Sequence, residues 1–321
     1  MKKVIVAGAT GLVGSTIISI LEERNFPISE IKFLASKNSV GEKISYNGEL
    51  IEVRELNADE FEGYDLAFFA LDGSLASIYA KEAEKRGVQV VDNSSYFRMN
   101  KEVPLIVPEV NANQIKDNDY IISNPNCSTI QCIAPLYQLD KKYGLERVIF
   151  STYQSVSGSG KEALLDLQNG TNDVYPYPIK DNVLPHIDTF LENGYSKEEM
   201  KMIEETRKIL GLADLKVTAT TVRVPVSYSH CVSINIELKK DFDIDEVREL
   251  FDGKLGMVLE DNLAENIYPQ PLNAKGKDEI FVGRIRRDYS RKNTLNIFVV
   301  ADNIRKGAAL NAVQIGELLI D

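Results

Sequence analysis

The chain has 321 residues, 44% of them hydrophobic, and a formal net charge of −11. That length suggests two domains with sizeable cores, and the acidic balance argues against a nucleic-acid protein, which would carry a basic domain. No apolar run approaches a membrane span, and three cysteines, an odd number, argue against a disulfide framework and for a reducing cytoplasm. Cys127 and Cys132 lack a His or Cys cluster nearby, so no metal site is expected.

In chain order, Lys3–Ala7 reads as a strand and Val13–Arg24 as a helix. Ile31–Ala35 and Leu66–Ala70 follow as strands, then helix Leu75–Arg86 and strand Val88–Asp92. This alternation predicts a Rossmann-type, doubly wound parallel sheet, an α/β fold. Between the first strand and helix lies Gly8-Ala9-Thr10-Gly11-Leu12-Val13-Gly14. Gly8 allows a tight turn, Gly11 lets a pyrophosphate approach the helix N-terminus, and Gly14 lets helix pack on strand. The second strand ends in Leu34-Ala35-Ser36-Lys37-Asn38-Ser39. It carries hydroxyls and Lys37 rather than the carboxylate that bonds a ribose hydroxyl, which favours NADP over NAD.

Arg98 follows Val90–Phe97, a strand running into a loop at the carboxyl edge of the sheet, where ligands bind in such folds. Tyr120-Ile121-Ile122 reads as a strand leading into Asn124-Pro125-Asn126-Cys127-Ser128-Thr129, and the apolar period from Ile130 to Leu139 reads as a helix. A thiol at a helix N-terminus sits beside the positive end of the macrodipole, which suits a thiolate nucleophile; the plainer alternative is a buried turn cysteine.

Beyond about Arg147, β-rich runs at Val148–Val156, Val217–Val226, Val232–Lys239, Ile280–Asp288 and Thr294–Asp302 alternate with helices at Glu162–Asn169, Lys197–Leu210 and Ile244–Leu250. The pattern predicts an α+β second domain on a mixed or antiparallel sheet. Glu198 and Lys201, three apart on a helix, share a face, as an ordinary surface ion pair would. Arg223 and His230 bracket Val224–Ser229, where Pro225 argues against a central strand position. The segment Arg305–Leu319 reads as a terminal helix. A thiol, a dinucleotide turn, an imidazole and cations together suggest an aldehyde dehydrogenase acting through a thioester, or the reverse reduction of an activated acid.

Across nearly its whole length the chain resembles the aspartate-semialdehyde dehydrogenase family. The pieces are Gly8–Gly14, Asp92–Met99, Val107–Asn111, Asn124–Thr129, Gln154–Gly160, Asp181–Tyr195, Val217–His230 and Asp302–Gln314. The resemblance implies a dinucleotide-binding domain over 1–126, with the helix 303–321 returning to it, and a catalytic and dimerisation domain over 127–302. It implies NADPH-dependent reduction of 4-phospho-L-aspartate to L-aspartate 4-semialdehyde and phosphate, in the pathway to lysine, methionine and threonine. Cys127 would be the nucleophile, His230 the acid/base that activates the thiol and manages the thiohemiacetal proton, and Gln154 the residue orienting substrate or thioester. Arg223 would take the substrate α-carboxylate and Glu198 its ammonium, while Arg98, Lys201 and Asn126 would hold the phosphoryl group. Thr10, Gly11, Leu12, Val13, Ser36, Lys37, Asn38, Ser39, Gly73, Ser157, Gly158 and Asn303 would join Gly8 along the cofactor. A homodimer is the implied assembly, with a tetramer open.

The chain departs from the family pattern at Asn38, where an arginine is frequent, at Thr221, where a cysteine is usual, and at Tyr228 and Cys231 around His230. Two rivals stand beside this reading: a related reductase of an acyl phosphate or acyl-CoA, and a dinucleotide-binding homologue without catalysis.

Overall fold

The computed structural model describes residues 1–320, which form two compact units: Met1–Pro125 with the end of the chain from Ala308, and Asn126–Gly307. The first unit begins with β1 (Lys2–Ala7), α1 (Leu12–Glu23) and β2 (Ile28–Ala35). A hairpin follows, β3 (Lys43–Tyr46) and β4 (Glu49–Glu52), and then the short β5 (Arg54–Glu55). β6 (Leu66–Phe69), α2 (Gly73–Lys85), β7 (Gln89–Asp92), the single turn α3 (Pro108–Asn111) and β8 (Ile121–Ser123) complete its first run. Six strands pair in the order β5-β2-β1-β6-β7-β8, every pair parallel. This is the doubly wound sheet expected from the alternation of strand and helix.

Both faces of that sheet are covered, and β1 shows why its sequence is apolar throughout. Val4 and Val6 point into the core beneath α1, with Ile17 and Ile20, whereas Ile5 and Ala7 point into the opposite core with Ala76 and Ala80 of α2. Successive strand residues face opposite ways, so a strand buried on both sides cannot alternate apolar and polar.

The second unit opens with α4 (Cys127–Tyr143) and β9 (Leu145–Gln154), followed by α5 (Lys161–Asn169), α6 (Lys197–Leu210), β10 (Lys216–Arg223) and β11 (His230–Leu238). It continues with α7 (Ile244–Phe251), β12 (Met257–Leu259), the short α8 (Pro271–Ala274), β13 (Ile280–Arg287) and β14 (Thr294–Ala301). The sheet order is β10-β9-β11-β14-β13-β12. It is mixed: β9 pairs β10 and β12 pairs β13 in parallel, and the inner pairs run antiparallel. One face packs through Val148, Phe150, Val232, Ile234 and Ile297 onto residues of α4, α6 and α7. The chain ends with one π turn, Arg305–Ala309, and α9 (Leu310–Leu318). Among the described residues no helix is long and apolar enough to cross a membrane.

Several boundaries differ from the sequence reading for local reasons. The strand expected over Val217–Val226 stops at Arg223, two residues before Pro225, whose missing N–H cannot serve a ladder. The strand expected to reach Val156 ends at Gln154, and Val156–Ser159 forms a 3₁₀ turn. The β3–β4 hairpin was not anticipated; Asn47 and Gly48 turn it with φ of 48° and 82°, as an Asn-Gly two-residue turn does.

Gly8 and Gly14 fix how α1 meets the sheet. A Cβ on Gly14 would stand 2.1 Å from the Gly8 carbonyl oxygen, and one on Gly8, whose φ is +84°, would stand 2.3 Å from the Ala70 carbonyl oxygen. Gly14→Ala is therefore expected to cost about 1–3 kcal/mol of stability by overpacking. A lowered thermal midpoint of the purified protein checks this; a midpoint equal to that of the parent would show that the turn absorbs the methyl group.

Candidate active site

The cysteine turn folds as its sequence suggests. Asn126 caps α4, its Oδ1 accepting hydrogen bonds from the Ser128 and Thr129 backbone N–H groups at 2.9 and 3.3 Å, and Cys127 is the first helical residue. Asn and Asp cap well because a short side chain can reach these orphan donors. The opposite side of Asn126 is gripped by α6. Its backbone N–H donates to the Glu205 carboxylate at 2.6 Å, and its Nδ2 donates to Glu198 Oε1 at 2.9 Å. Glu198 and Glu205 are two turns apart on one face, so α6 presents two carboxylates to the turn. Gly307 also packs on Cys127, where a Cβ would come within 3.0 Å of the cysteine Cβ.

Glu198 Oε1 accepts a second hydrogen bond, from Gln154 Nε2 at 3.1 Å, and Oε2 pairs with Lys201 Nζ at 3.2 Å. Thr152 holds the other end of the Gln154 amide. The pairing of Glu198 with Lys201 is thus not the surface ion pair that its spacing suggests, since Glu198 is only 4% exposed. Burial pushes its carboxyl upward, but the Lys201 charge and the hydrogen bonds from Asn126 and Gln154 outweigh burial and hold it below the usual range. Lys201 also donates to Asp188 at 2.8 Å.

Gln154 ends β9, directly opposite Arg223 on β10 and next to the start of β11 at His230. Arg223 is buried, donates from Nη1 to the Ser155 carbonyl at 2.6 Å, and lies over the Tyr175 ring at 5.9 Å. Among the described residues no carboxylate pairs with it, and its Nε is a buried donor without a partner. His230 is fully buried as well; Nδ1 accepts from the Ser155 backbone N–H at 3.0 Å, while Nε2 is buried without a partner. Burial, and after it the Arg223 charge, hold the imidazole well below its ordinary value, so it is neutral. Gly158 packs closely against both groups: a Cβ there would lie only 3.1 Å from Arg223 Nη1 and 3.4 Å from His230 Nε2, so a larger residue would crowd them.

Cys231 follows His230 but faces the other side of β11, where it packs with Ala274, Phe281 and Val300. Burial pushes its thiol up to about 12, which makes it inert beside Cys127. Tyr228 is occupied by Lys275, whose Nζ lies 4.6 Å above its ring. Ser157 and Asn303, expected along the cofactor, have side chains in a buried network with Ser155.

In the first unit, Arg98 is buried at the carboxyl ends of β7 and β8, donating to the Asn93 and Asn124 carbonyls at 2.8 and 2.9 Å. The glycine turn borders a cavity of about 370 Å³ lined by Thr10, Gly11, Ser36, Lys37 and Glu55 among others. α1 starts at Leu12 without a side-chain cap, and a Cβ on Gly11 would meet only the Gly8 oxygen, at 3.3 Å. Free helix N–H groups beside an open glycine fit a pyrophosphate. Thr10 and Ser39 hydroxyls lie 3.3 Å apart across the turn, and Gly73 begins α2 above Asp72. Sequence reading missed Glu55, which pairs opposite Ala35 from the short β5; its own neighbours in sequence give no sign of that placement.

Residues 3–118 match the NAD-binding domain of semialdehyde dehydrogenases, and residues 133–306 match their dimerisation domain. Fold and site together therefore define a semialdehyde dehydrogenase with an NAD(P)-binding domain. An aspartate-semialdehyde dehydrogenase from Aquifex aeolicus is 47% identical over 332 residues, covering 99% of this chain and 98% of that one. A crystal structure of aspartate semialdehyde dehydrogenase II from Vibrio cholerae, complexed with ASA, superposes with a TM-score of 0.97 at 39% identity, over 100% of this chain and 98% of that one. One from Candida albicans with NADP superposes at 0.79 and 26% identity, over 100% and 98%. The chain belongs to the aspartate-semialdehyde dehydrogenase family.

The state of His230 has a measurable consequence. The folded protein resists protonating it, so below about pH 6.5 the unfolded chain binds a proton that the folded one does not. Stability should be full above that pH and fall below it by up to about 1.4 kcal/mol per pH unit. Denaturant midpoints between pH 7 and 5 are expected to fall more steeply for the parent than for His230→Asn; equal slopes would show that His230 protonates freely in the folded state. Glu198 does not interfere in this window, because its lowered value moves its own contribution to more acidic pH.

Proposed function

We propose that the chain is an aspartate-semialdehyde dehydrogenase, reducing 4-phospho-L-aspartate to L-aspartate 4-semialdehyde and phosphate through a thioester on Cys127. The observation that supports the substrate reading is Arg223, a buried guanidinium that pairs with no carboxylate among the described residues. A buried charge is stable only when paired, and a planar carboxylate matches the guanidinium fork. Glu198, with its charge retained by Lys201, is the anion for the substrate ammonium. Lys201, Asn126 and Arg98 are the groups offered to the phosphoryl oxygens.

Cys127 Sγ adds to the acyl carbon as a thiolate, supported by the positive end of α4, and the bond to the phosphate oxygen breaks with its electron pair leaving on phosphate. Gln154, fixed by Thr152 and Glu198, orients the thioester carbonyl. The bound dinucleotide supplies the hydride. His230 meets the charge that develops on the reacting oxygen, and rupture of the carbon–sulfur bond returns the thiolate and frees the semialdehyde.

For the cofactor we favour NADP, held by the Gly8–Val13 turn with Ser36, Lys37, Asn38 and Ser39 around a 2′-phosphate; the relative from Candida albicans was crystallised with NADP. Glu55 in the same cavity favours the ribose hydroxyl of NAD instead. The dimerisation domain supports a homodimer, and the solvent-facing side of its sheet offers Tyr153, 43% exposed, with Tyr268 and Phe298 around a cavity of about 490 Å³.

With L-aspartate 4-semialdehyde, phosphate and NADP, the purified protein is expected to produce reduced nicotinamide only when phosphate is present. Cys127→Ala should lower the rate by at least about 10³-fold. A well-folded protein with no turnover defeats the substrate reading; full turnover in Cys127→Ala defeats the thioester; a higher kcat/KM with NAD overturns the cofactor choice. Arg223→Lys should raise KM for the semialdehyde about 10- to 100-fold, because a point charge lacks the planar fork. An unchanged KM would remove Arg223 from the carboxylate.

A further inference from the structure

The segment that leads into α6 forms a strap, from Leu184 to Ser196, that is tied at both ends. Leu184 and Arg223 exchange backbone hydrogen bonds, the Leu184 N–H donating at 2.9 Å and the Arg223 N–H at 2.8 Å. At the far end the Leu191 N–H donates to the Tyr195 carbonyl at 2.8 Å, and the Lys197 N–H donates to the Thr189 carbonyl at 2.9 Å. Ser196 and Glu199 form a capping box that fixes the first turn of α6 beside it. Within the strap, His186 stacks on Phe190 with ring centroids 4.2 Å apart.

Asp188 stands in the middle with φ of 66°, a left-handed conformation that Asp tolerates. Its Oδ1 accepts from the Thr189 backbone N–H at 2.7 Å, and its Oδ2 accepts from Lys201 Nζ at 2.8 Å. Burial pushes its carboxyl up, but the hydrogen bonds from Lys201 and Thr189 outweigh burial and hold it below the usual range, so it is an anion at neutral pH. Lys201 therefore faces two carboxylates, and the group of three carries one negative charge in excess. The two carboxylates differ in setting. The Glu198 side chain is 6% exposed and also holds Asn126 and Gln154, whereas that of Asp188 is 32% exposed. An ion pair so open to water is weak and opens at little cost. The tied backbone keeps Asp188 in place, so Lys201, on its flexible stem, is the partner that moves.

We infer that Asp188 is a positioning residue acting through Lys201: an internal anion that occupies the ammonium between turnovers, yields it to the phosphoryl group, and retakes it as phosphate leaves. The inference rests on the role proposed above for Lys201 toward phosphate. The three ammonium protons point to the corners of a tetrahedron, so two acceptors on one ammonium lie about 4–5 Å apart. A phosphate oxygen and the Asp188 carboxylate would meet at that separation, where like charges repel even across water. Asp188 thereby weakens the hold on phosphate and favours release of the phosphate that thioester formation sets free. A carboxylate that merely braced the strap on α6 would do the reverse, ordering Lys201 for its ligand, and its loss would weaken phosphate binding.

Asp188→Asn separates the two. Asparagine keeps an oxygen for the Thr189 N–H and tolerates the left-handed backbone, so the change is one of charge. Calorimetric titration with inorganic phosphate at constant ionic strength is expected to give a dissociation constant about 5- to 10-fold lower than that of the parent. In the reaction run from the semialdehyde, KM for phosphate should fall by a similar factor while KM for the semialdehyde stays within about twofold. An unchanged or raised dissociation constant for phosphate overturns the inference. The gain must also pass through Lys201. Adding Asp188→Asn to Lys201→Gln protein should not tighten phosphate, and a tightening there would overturn the part given to Lys201. A protein that binds phosphate more tightly after Asp188→Asn but never turns over would defeat the proposed function alone. One that turns over, with its phosphate affinity indifferent to Asp188→Asn, would defeat this inference alone.

Discussion

The geometry of the site hangs on one buried carboxylate. Glu198 is shared by the cysteine turn through Asn126, by the end of β9 through Gln154, and by Lys201 on its own helix. Stripping water from a carboxylate costs several kcal/mol, and removing one partner of such a pair costs about 3–5 kcal/mol because the remaining charge is left unpaired. Three elements are thereby obliged to meet at one point. Asn126 is pinned at its side chain by Glu198 and at its backbone by Glu205, and that fixes where α4 begins. Cys127 is the first residue of α4 because Asn126 cannot move.

The chain is acidic overall and yet buries cations among its core residues. The net charge of −11 is spread over the surface, whereas the local cations stand against specific groups. Lys201 sits between Asp188 and Glu198. Among the described residues, the Arg223 guanidinium meets the Ser155 carbonyl and the Tyr175 ring but no carboxylate. In a water-poor pocket the near field of one unpaired guanidinium outweighs distant surface charges, which solvent and salt screen.

What could be read from the sequence was what depends on neighbours along the chain. Gly8, Gly11 and Gly14 announce a turn because their spacing acts within one strand–turn–helix unit, and Asn126-Cys127 announces a helix start for the same reason. The burial of Glu198 was hidden, since its spacing from Lys201 is that of any exposed pair on a helix; only the arrival of Asn126 and Gln154, 72 and 44 residues away, makes it a core charge. Glu55 was hidden likewise, because a two-residue strand has no period to detect. Glu205 and Ser155 went unnoticed because one accepts from a partner's backbone N–H and the other donates through its own, contacts that carry no signature in the sequence.

Arg223 and His230 cannot be considered separately. Burial alone disfavours an imidazolium, and the guanidinium beside it disfavours it further. The charge that we propose takes the substrate carboxylate thus also helps keep His230 neutral. Should a carboxylate bind Arg223 as proposed, it would lift part of that electrostatic pressure while further burying the imidazole, so the two effects would oppose each other. What does not change on binding is the Ser155 N–H at Nδ1, a fixed backbone donor that disfavours a proton there whatever the charge on Arg223. A backbone contact is therefore the more dependable control of the imidazole, because it follows the end of β9 and does not depend on what Arg223 binds.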